Sequence, residues 1–263
     1  MTNLHRILNT LDELAPLRTA ESWDNVGLLA GDRSRDITRI LTCLTVTDAT
    51  LDEAIESGAE LIVTHHPIPF KPVPRITADS TTGKLLLRAI EHRIAIYSPH
   101  TAWDNSEHGI NAQLARQIGL QNVRPLAPFS ADLRAPIDTG TGRYGILPTE
   151  TSIESLQSTL TKSIPYCQFR HTHSIQRVVQ KVGIVCGSGG TLLSLAIKAG
   201  CDAMLTGEAT YHQCLEAEAN NLALLMVGHF ASESFAMTEL AARLSRLHPD
   251  VASKVSKHEH SFF

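Results

Sequence analysis

Four short segments of the chain concentrate imidazoles and carboxylates. Thr64-His65-His66-Pro67 closes one apolar run and Thr206-Gly207-Glu208 closes another; His100 is followed four residues on by Asp104, and His229 by Glu233. Imidazole and carboxylate together suit divalent cations such as Zn, Fe, Mn, Co or Ni, and these residue types do not distinguish among them. Adjacent histidines inside a strand point to opposite faces, but at a strand end they can splay toward two cations or straddle one. A histidine and an acid at i,i+4 share one face of a helical turn. A carboxylate so placed can bridge two cations about 3.5–4 Å apart, as in two-metal hydrolytic centres. Each segment alone is ordinary: most HxxxE pairs are solvated and most His-His pairs are core or loop residues.

The segments gain weight because they form two copies of one unit. Ala54-Ile55 through Gly58 and Leu61-Ile62-Val63-Thr64-His65-His66 align without a gap on Ala196-Ile197 through Gly200 and Ala203-Met204-Leu205-Thr206-Gly207-Glu208. A duplicated fold whose halves both end strands in metal-capable side chains predicts a metal site where the halves meet. In the repeat Asp104 is the counterpart of Glu233 and His100 that of His229. His100 is therefore expected near the cations, either hydrogen-bonded to a ligand or shuttling protons as the catalytic acid or base. Glu208 takes the place of His66 and, with His212, is expected to reach the cavity without serving as a ligand.

The elements that must position these groups alternate. Helical spacing runs from Leu4 to Leu17 with a cap at Thr2 or Asn3. Glu21 to Gly31 reads as a loop feeding a short strand, Ile40 to Val46 as a strand, Asp48 to Ser57 as a helix, and Leu61 to Val63 as a buried strand. Thr82 to His92 is a helix, Ile94 to Tyr97 a strand, and Ile110 to Ile118 a helix closed by Gly119. Prolines 125, 128 and 136 and the run Asp138 to Gly145 mark a turn-rich entry to the second half. There Ile153 to Leu160, Leu192 to Ala199 and Ser234 to Leu247 read as helices and Val182 to Cys186 as a strand. The expected fold is α/β: two related, duplicated domains with mixed, mostly parallel sheets flanked by helices. The first comprises residues 1–127 with 228–263, the second residues 128–227. In such sheets functional groups collect beyond the carboxyl ends of the strands, where both histidine segments fall.

Composition excludes several classes. The 263 residues carry a net charge of −4, which offers no basic face for nucleic acid. No apolar run approaches the ~20 residues of a membrane span, and the beginning of the sequence lacks a secretory signal pattern. Five scattered cysteines without CxxC spacing fit a reduced, cytoplasmic setting. Gly187-Ser-Gly-Gly190 lacks the lysine and spacing of a phosphate-binding loop and reads as a tight strand-to-helix turn. Trp23, Asp24 and Asn25 read as packing plus an Asx-type turn, Trp103 as a core or interface aromatic, His171 and His173 as solvated, and Cys186 and Cys201 as small buried apolar residues. Arg143 and Lys71 lie in loops that could meet an anion, although no basic cluster is evident. Lys257 to Phe263 reads as a segment docking on a neighbour through Phe262 and Phe263.

Glu21-Ser-Trp-Asp-Asn-Val-Gly-Leu, Val63-Thr-His-His-Pro, Ser98-Pro-His-Thr-Ala-Trp-Asp, Val227-Gly-His-Phe-Ala-Ser-Glu, Gly142-Arg-Tyr-Gly-Ile-Leu and Cys186-Gly-Ser-Gly-Gly closely resemble the motifs of the GTP cyclohydrolase 1 type 2 homologues, also called the NGG-interacting-factor-like family. The resemblance runs from about Leu4 to Glu233. It implies a toroidal homohexamer with two divalent cations per chain facing an internal cavity. Carried over by position, the metal ligands fall on His65, His66, Asp104, His229 and Glu233: Asp104 on one cation, His229 on the other, Glu233 bridging, and the two histidines 65 and 66 divided between them. The longer members carry a further domain between the halves; the roughly forty residues between Gly145 and Val182 are too few for one. The implied activity is a metal-dependent hydrolysis in which activated water attacks purine C8 of GTP, formate leaves and a dihydroneopterin triphosphate forms. The alternatives are a hydrolase of another substrate, or a non-catalytic hexameric scaffold or adaptor that binds metal.

Overall fold

The computed structural model describes residues 2–129 and 138–262; Pro136 and Phe263, both singled out in the sequence, lie outside them. The chain forms two compact units, residues 1–103 with 236–260 and residues 104–235 with 261–263. Each is α/β with a mixed sheet and its own apolar core.

The first unit holds a five-stranded sheet in the order Ala252–Val255, Arg39–Cys43, Leu61–Thr64, Ala95–Ser98, Gly27–Ala30. The first four are parallel and Gly27–Ala30 closes the edge antiparallel. All four residues of Leu61–Thr64 are buried, the signature of a strand covered on both faces rather than an alternating one. The core gathers Ile62 and Ile96 from the sheet with Leu51 and Ala54 of helix Asp48–Ser57 and Leu85, Leu86 and Ala89 of helix Thr81–Glu91. Thr47 caps Asp48–Ser57 in a reciprocal pair with Thr50, and Gly58 ends it at φ 66°, a left-handed turn that glycine adopts without steric cost.

The second unit holds a six-stranded sheet in the order Arg170–His171, Ala223–Met226, Ala203–Thr206, Val178–Val185, Arg143–Ser152, Gln121–Arg124. Its three central strands from Ala223 through Val178 are parallel and the flanking ones antiparallel. Helices Leu193–Lys198 and Tyr211–Ala219 supply Leu193, Ala196 and Ala217 to a core with Met204 and Leu224.

The repeat read in the sequence recurs in the hydrogen bonds. Glu60 accepts the amides of Thr38 and Arg39, and Asp202, at the equivalent position, accepts those of Gln180 and Lys181. Ile40 pairs with Leu61 as Val182 pairs with Ala203. Gly58 and Gly200 both turn left-handed, at φ 66° and 67°.

Three expectations need correction. The first helix ends at Leu14, not Leu17, with Ala15 at φ −143°, because the residue before Pro16 is pushed out of the helical region. The expected turn-rich run contains the start of the ten-residue strand Arg143–Ser152, whose burial alternates only over its first half. Strand Ala252–Val255 and helix Tyr211–Ala219 were not anticipated; both are polar enough to carry little periodic signal. Among the described residues no helix is long and apolar enough to cross a membrane.

Candidate functional site

In the first unit the carboxyl end of strand Leu61–Thr64 delivers His65 and His66. Their amides donate to the carbonyls of Cys43 and Leu44 at the end of the neighbouring strand, at 3.1 and 2.8 Å. His65 is 1% exposed, and the Ser98 hydroxyl donates to its carbonyl. Strand Ala95–Ser98 then leads through Pro99 to His100, which opens the short helix His100–Asn105 at φ 31°. Ring centroids stand 5.1 Å apart for His65 and His66, 5.1 Å for His65 and His100, and 5.8 Å for His66 and His100. One donor nitrogen of each of the three lies within 4.8 Å of the others. Three imidazoles converging this closely form a donor set for a borderline divalent cation.

His66 and His100 each have a partner that fixes the ring's orientation. His66 Nδ1 meets the Thr45 hydroxyl at 2.7 Å. His100 Nδ1 lies 2.8 and 2.9 Å from the two oxygens of Asp24, whose carboxylate also accepts the Thr101 amide at 3.1 Å and the Thr101 hydroxyl. The Asp24 side chain is fully enclosed. Burial alone would raise its carboxyl, but the hydrogen bonds from His100 and Thr101 outweigh that and hold it below the usual carboxylate range. A carboxylate bound to Nδ1 leaves the lone pair on Nε2, the geometry of a positioned acid–base histidine. Asp24 is thus more than the packing and turn residue its local sequence suggested. Trp23 and Phe70, 61% and 49% exposed, stand about His100 at 6.1 and 5.8 Å between ring centroids, and Asn25 ties their loops by donating to the Pro69 carbonyl at 2.7 Å.

The second unit assembles carboxylates around one histidine. Gly228, at φ 95°, turns the chain into helix His229–Leu247. His229 Nε2 lies 3.1 Å from Glu233 one turn on, and its Nδ1 lies 3.0 Å from Glu208, delivered by strand Ala203–Thr206. Burial works against the imidazolium, but Glu233 and Glu208 overcome it and push the His229 pKa up to about 9. Glu233 is 4% exposed, and the bare Cα of Gly187 leaves room for its carboxylate as placed: a Cβ there would stand 2.2 Å from Glu233 Oε1. Ser232 braces the turn, accepting the Gly187 amide at 2.9 Å and donating to the His229 carbonyl at 2.8 Å. Asp104 is half-buried in this unit. With Glu233 it raises the thiol of Cys186, which burial already lifts well above its ordinary value.

A cavity of about 370 Å³ opens beside His229 and Glu208, lined among others by Tyr166, Arg170, Phe230 and Phe262. The Tyr166 and Phe230 rings meet edge-on at 5.6 Å. Glu208 lines this cavity; His212 is not among its lining residues and is exposed on helix Tyr211–Ala219. Arg143 cannot greet a triphosphate: it is 2% exposed, with its guanidinium donating to the carbonyls of Asn105, Ser106, Asp138, Gly140 and Gly142, and burial pulls its pKa down to about 10. Trp103, 3% exposed, is a core aromatic. Gly187 to Gly190 forms the tight turn expected of it, with Ser188 donating to Glu208.

The family model described as Duf34/NIF3 (NGG1p interacting factor 3) matches residues 2–261. A Clostridium perfringens protein named "GTP cyclohydrolase 1 type 2 homolog" is 34% identical over 97% of this chain and 96% of its own length. A Drosophila melanogaster "NIF3-like protein 1" is 37% identical over 92% of this chain and 82% of its own. Among solved structures, the Bacillus cereus protein related to NIF3 superposes with a TM-score of 0.89 at 21% identity, covering 100% of this chain and 98% of that one, a likeness of fold.

Proposed function

Since the chain belongs to the Duf34/NIF3 family, we propose that it is a metal-dependent hydrolase in which His65, His66, Asp104, His229 and Glu233 hold two divalent cations. The observation that carries this reading is the pair of His100 and Asp24 set against His65 and His66: three clustered imidazoles, one of them backed by an enclosed carboxylate. The donor chemistry fits. Imidazoles suit borderline cations, the carboxylates of Asp104 and Glu233 add the negative charge such a centre requires, and the bare Cα of Gly187 makes room for Glu233. Bound cations would supply Lewis-acid activation of water.

The chain's own residues do the rest. Asp24 holds Nδ1 of His100 and leaves Nε2 to take or return a proton. Glu208 holds Nδ1 of His229, leaving Nε2 and the Glu233 carboxylate beside it as the pair that would hold a cation. The cavity beside His229, with Arg170 and the rings of Tyr166 and Phe230, suits an anionic substrate with a planar ring. The relatives' names make GTP the substrate to test first, with water attacking purine C8. A homohexamer, as the family motifs imply, and a cytoplasmic setting, as the scattered cysteines imply, are part of the same proposal.

The test is product formation from GTP by metal-replete protein, read by mass spectrometry beside Glu233→Gln and His66→Ala. Formate and a pterin triphosphate that disappear in both variants are the expected result. No turnover with Zn, Mn, Fe or Co would overturn the GTP assignment. Metal bound without turnover on a broad hydrolase panel would favour the scaffold alternative over catalysis.

A further inference from the structure

The segment following strand Ala252–Val255 folds onto the end of strand Arg39–Cys43, next to the strand that delivers His65 and His66. Ser256 donates its amide to the Thr42 carbonyl at 2.8 Å, and its hydroxyl and the Lys257 amide both bond to Glu53. Two residues on, Glu259 accepts the Leu44 amide at 2.8 Å through Oε2 and the Thr45 amide at 2.9 Å through Oε1. One carboxylate thus spans two consecutive backbone amides more than two hundred residues away in sequence.

Those two residues are the ones that hold His66. The Leu44 carbonyl accepts the His66 amide at 2.8 Å and the Thr64 hydroxyl at 3.0 Å, and the Thr45 hydroxyl meets His66 Nδ1 at 2.7 Å. The 44–45 peptide is therefore gripped on both sides, by Glu259 through its amides and by His66 through its carbonyl and hydroxyl. Charge-assisted hydrogen bonds to a carboxylate are about twice as strong as neutral ones, so the grip from the Glu259 side is the firmer.

We infer that Glu259 is a positioning residue for His66: it fixes Leu44 and Thr45 so that the Thr45 hydroxyl holds His66 Nδ1 and directs Nε2 toward a cation. The inference rests on His66 being a metal ligand. It makes Ser256 to His260 part of the site's support, where the sequence suggested a segment serving contacts with a neighbour. Partners that orient a ligating histidine typically change metal affinity about 10- to 100-fold when removed.

The test compares the full-length wild type with Glu259→Ala, Glu259→Gln and Thr45→Val. Nitrogen NMR of the imidazoles in metal-free protein reads the His66 tautomer, cobalt titration followed by visible absorption against a competing chelator reads affinity, and a thermal melt reads the fold. Glu259→Ala should replace a single wild-type tautomer of His66 by a mixture and weaken cobalt binding about tenfold or more. Glu259→Gln, which keeps one acceptor, should fall between. Thr45→Val removes only the last hydrogen bond and should reproduce both effects with little change in melting. A lowered melting temperature with tautomer and affinity unchanged in the folded variants would overturn the inference, as would an unaffected Thr45→Val. Wild type that binds no cobalt would sink the metal reading itself, while the tautomer in metal-free protein would still report whether Glu259 orients His66.

Discussion

At the scale of single residues, Asp24 and His229 carry the sharpest tests of the proposed site. Asp24→Asn keeps the shape beside His100 but removes the charge that selects its tautomer. Metal content should stay at the wild-type level while turnover drops about 10²-fold or more, measured as kcat against pH alongside metal analysis; equal kcat would show that Asp24 only packs. His229 gives the second prediction. Its pKa is raised from 6.5 to about 9, so its ion pairs contribute stability that is complete below pH 6.5 and is lost as pH rises through about 9. A cation needs the neutral ring, so cobalt affinity should climb from pH 6.5 toward about 9 and then level. An affinity flat across that range would show that His229 is not a ligand. Of these groups His65, His66, His100, His229 and Glu233 stand out in the sequence by spacing. Asp24, Glu259 and Arg170 do not, because their partners are far along the chain and only the fold supplies them.

At the scale of elements, strand-end turns aim the side chains. Gly200→Ala and Gly187→Ala both place a side chain at positive φ, 67° and 62°, but a Cβ at 200 meets nothing within 4 Å whereas one at 187 strikes Glu233. Gly200→Ala should cost about 1–2 kcal/mol of stability and leave metal binding intact. Gly187→Ala should cost more and also lower metal affinity. Chemical denaturation with cobalt titration on both proteins checks this, and parallel behaviour would show that Gly187 serves the backbone alone. Strands Leu61–Thr64 and Ala203–Thr206 were legible as buried apolar runs. Strand Ala252–Val255 was not: its burial pattern is half exposed, and what holds it is a register with Arg39–Cys43 across two hundred residues.

At the scale of the whole chain, the proposed ligands are divided between the compact units, His65 and His66 in one and Asp104, His229 and Glu233 in the other. If both sets bind the same pair of cations, unfolding of the two units becomes linked through the ions. A cation present at 100 times its dissociation constant should add about 2.7 kcal/mol, and a chelator should split one calorimetric transition into two. Superimposable melts with and without chelator would contradict shared cations. The duplication behind this arrangement was visible in the sequence as an ungapped repeat. What the repeat could not convey is that its two acid clamps, Glu60 and Asp202, kept the same backbone partners while the positions beside them diverged from His65 and His66 to Gly207 and Glu208.

His100 sits at φ 31°, a conformation that typically costs a non-glycine residue of order 1–3 kcal/mol. Glycine would relieve that strain but would strip the enclosed Asp24 carboxylate of its imidazole partner, a loss of about 1.5–3 kcal/mol. The strained backbone is therefore held in place by a buried charge: His100→Gly should melt no higher than wild type, and a higher melting temperature would show that the strain outweighs the pair.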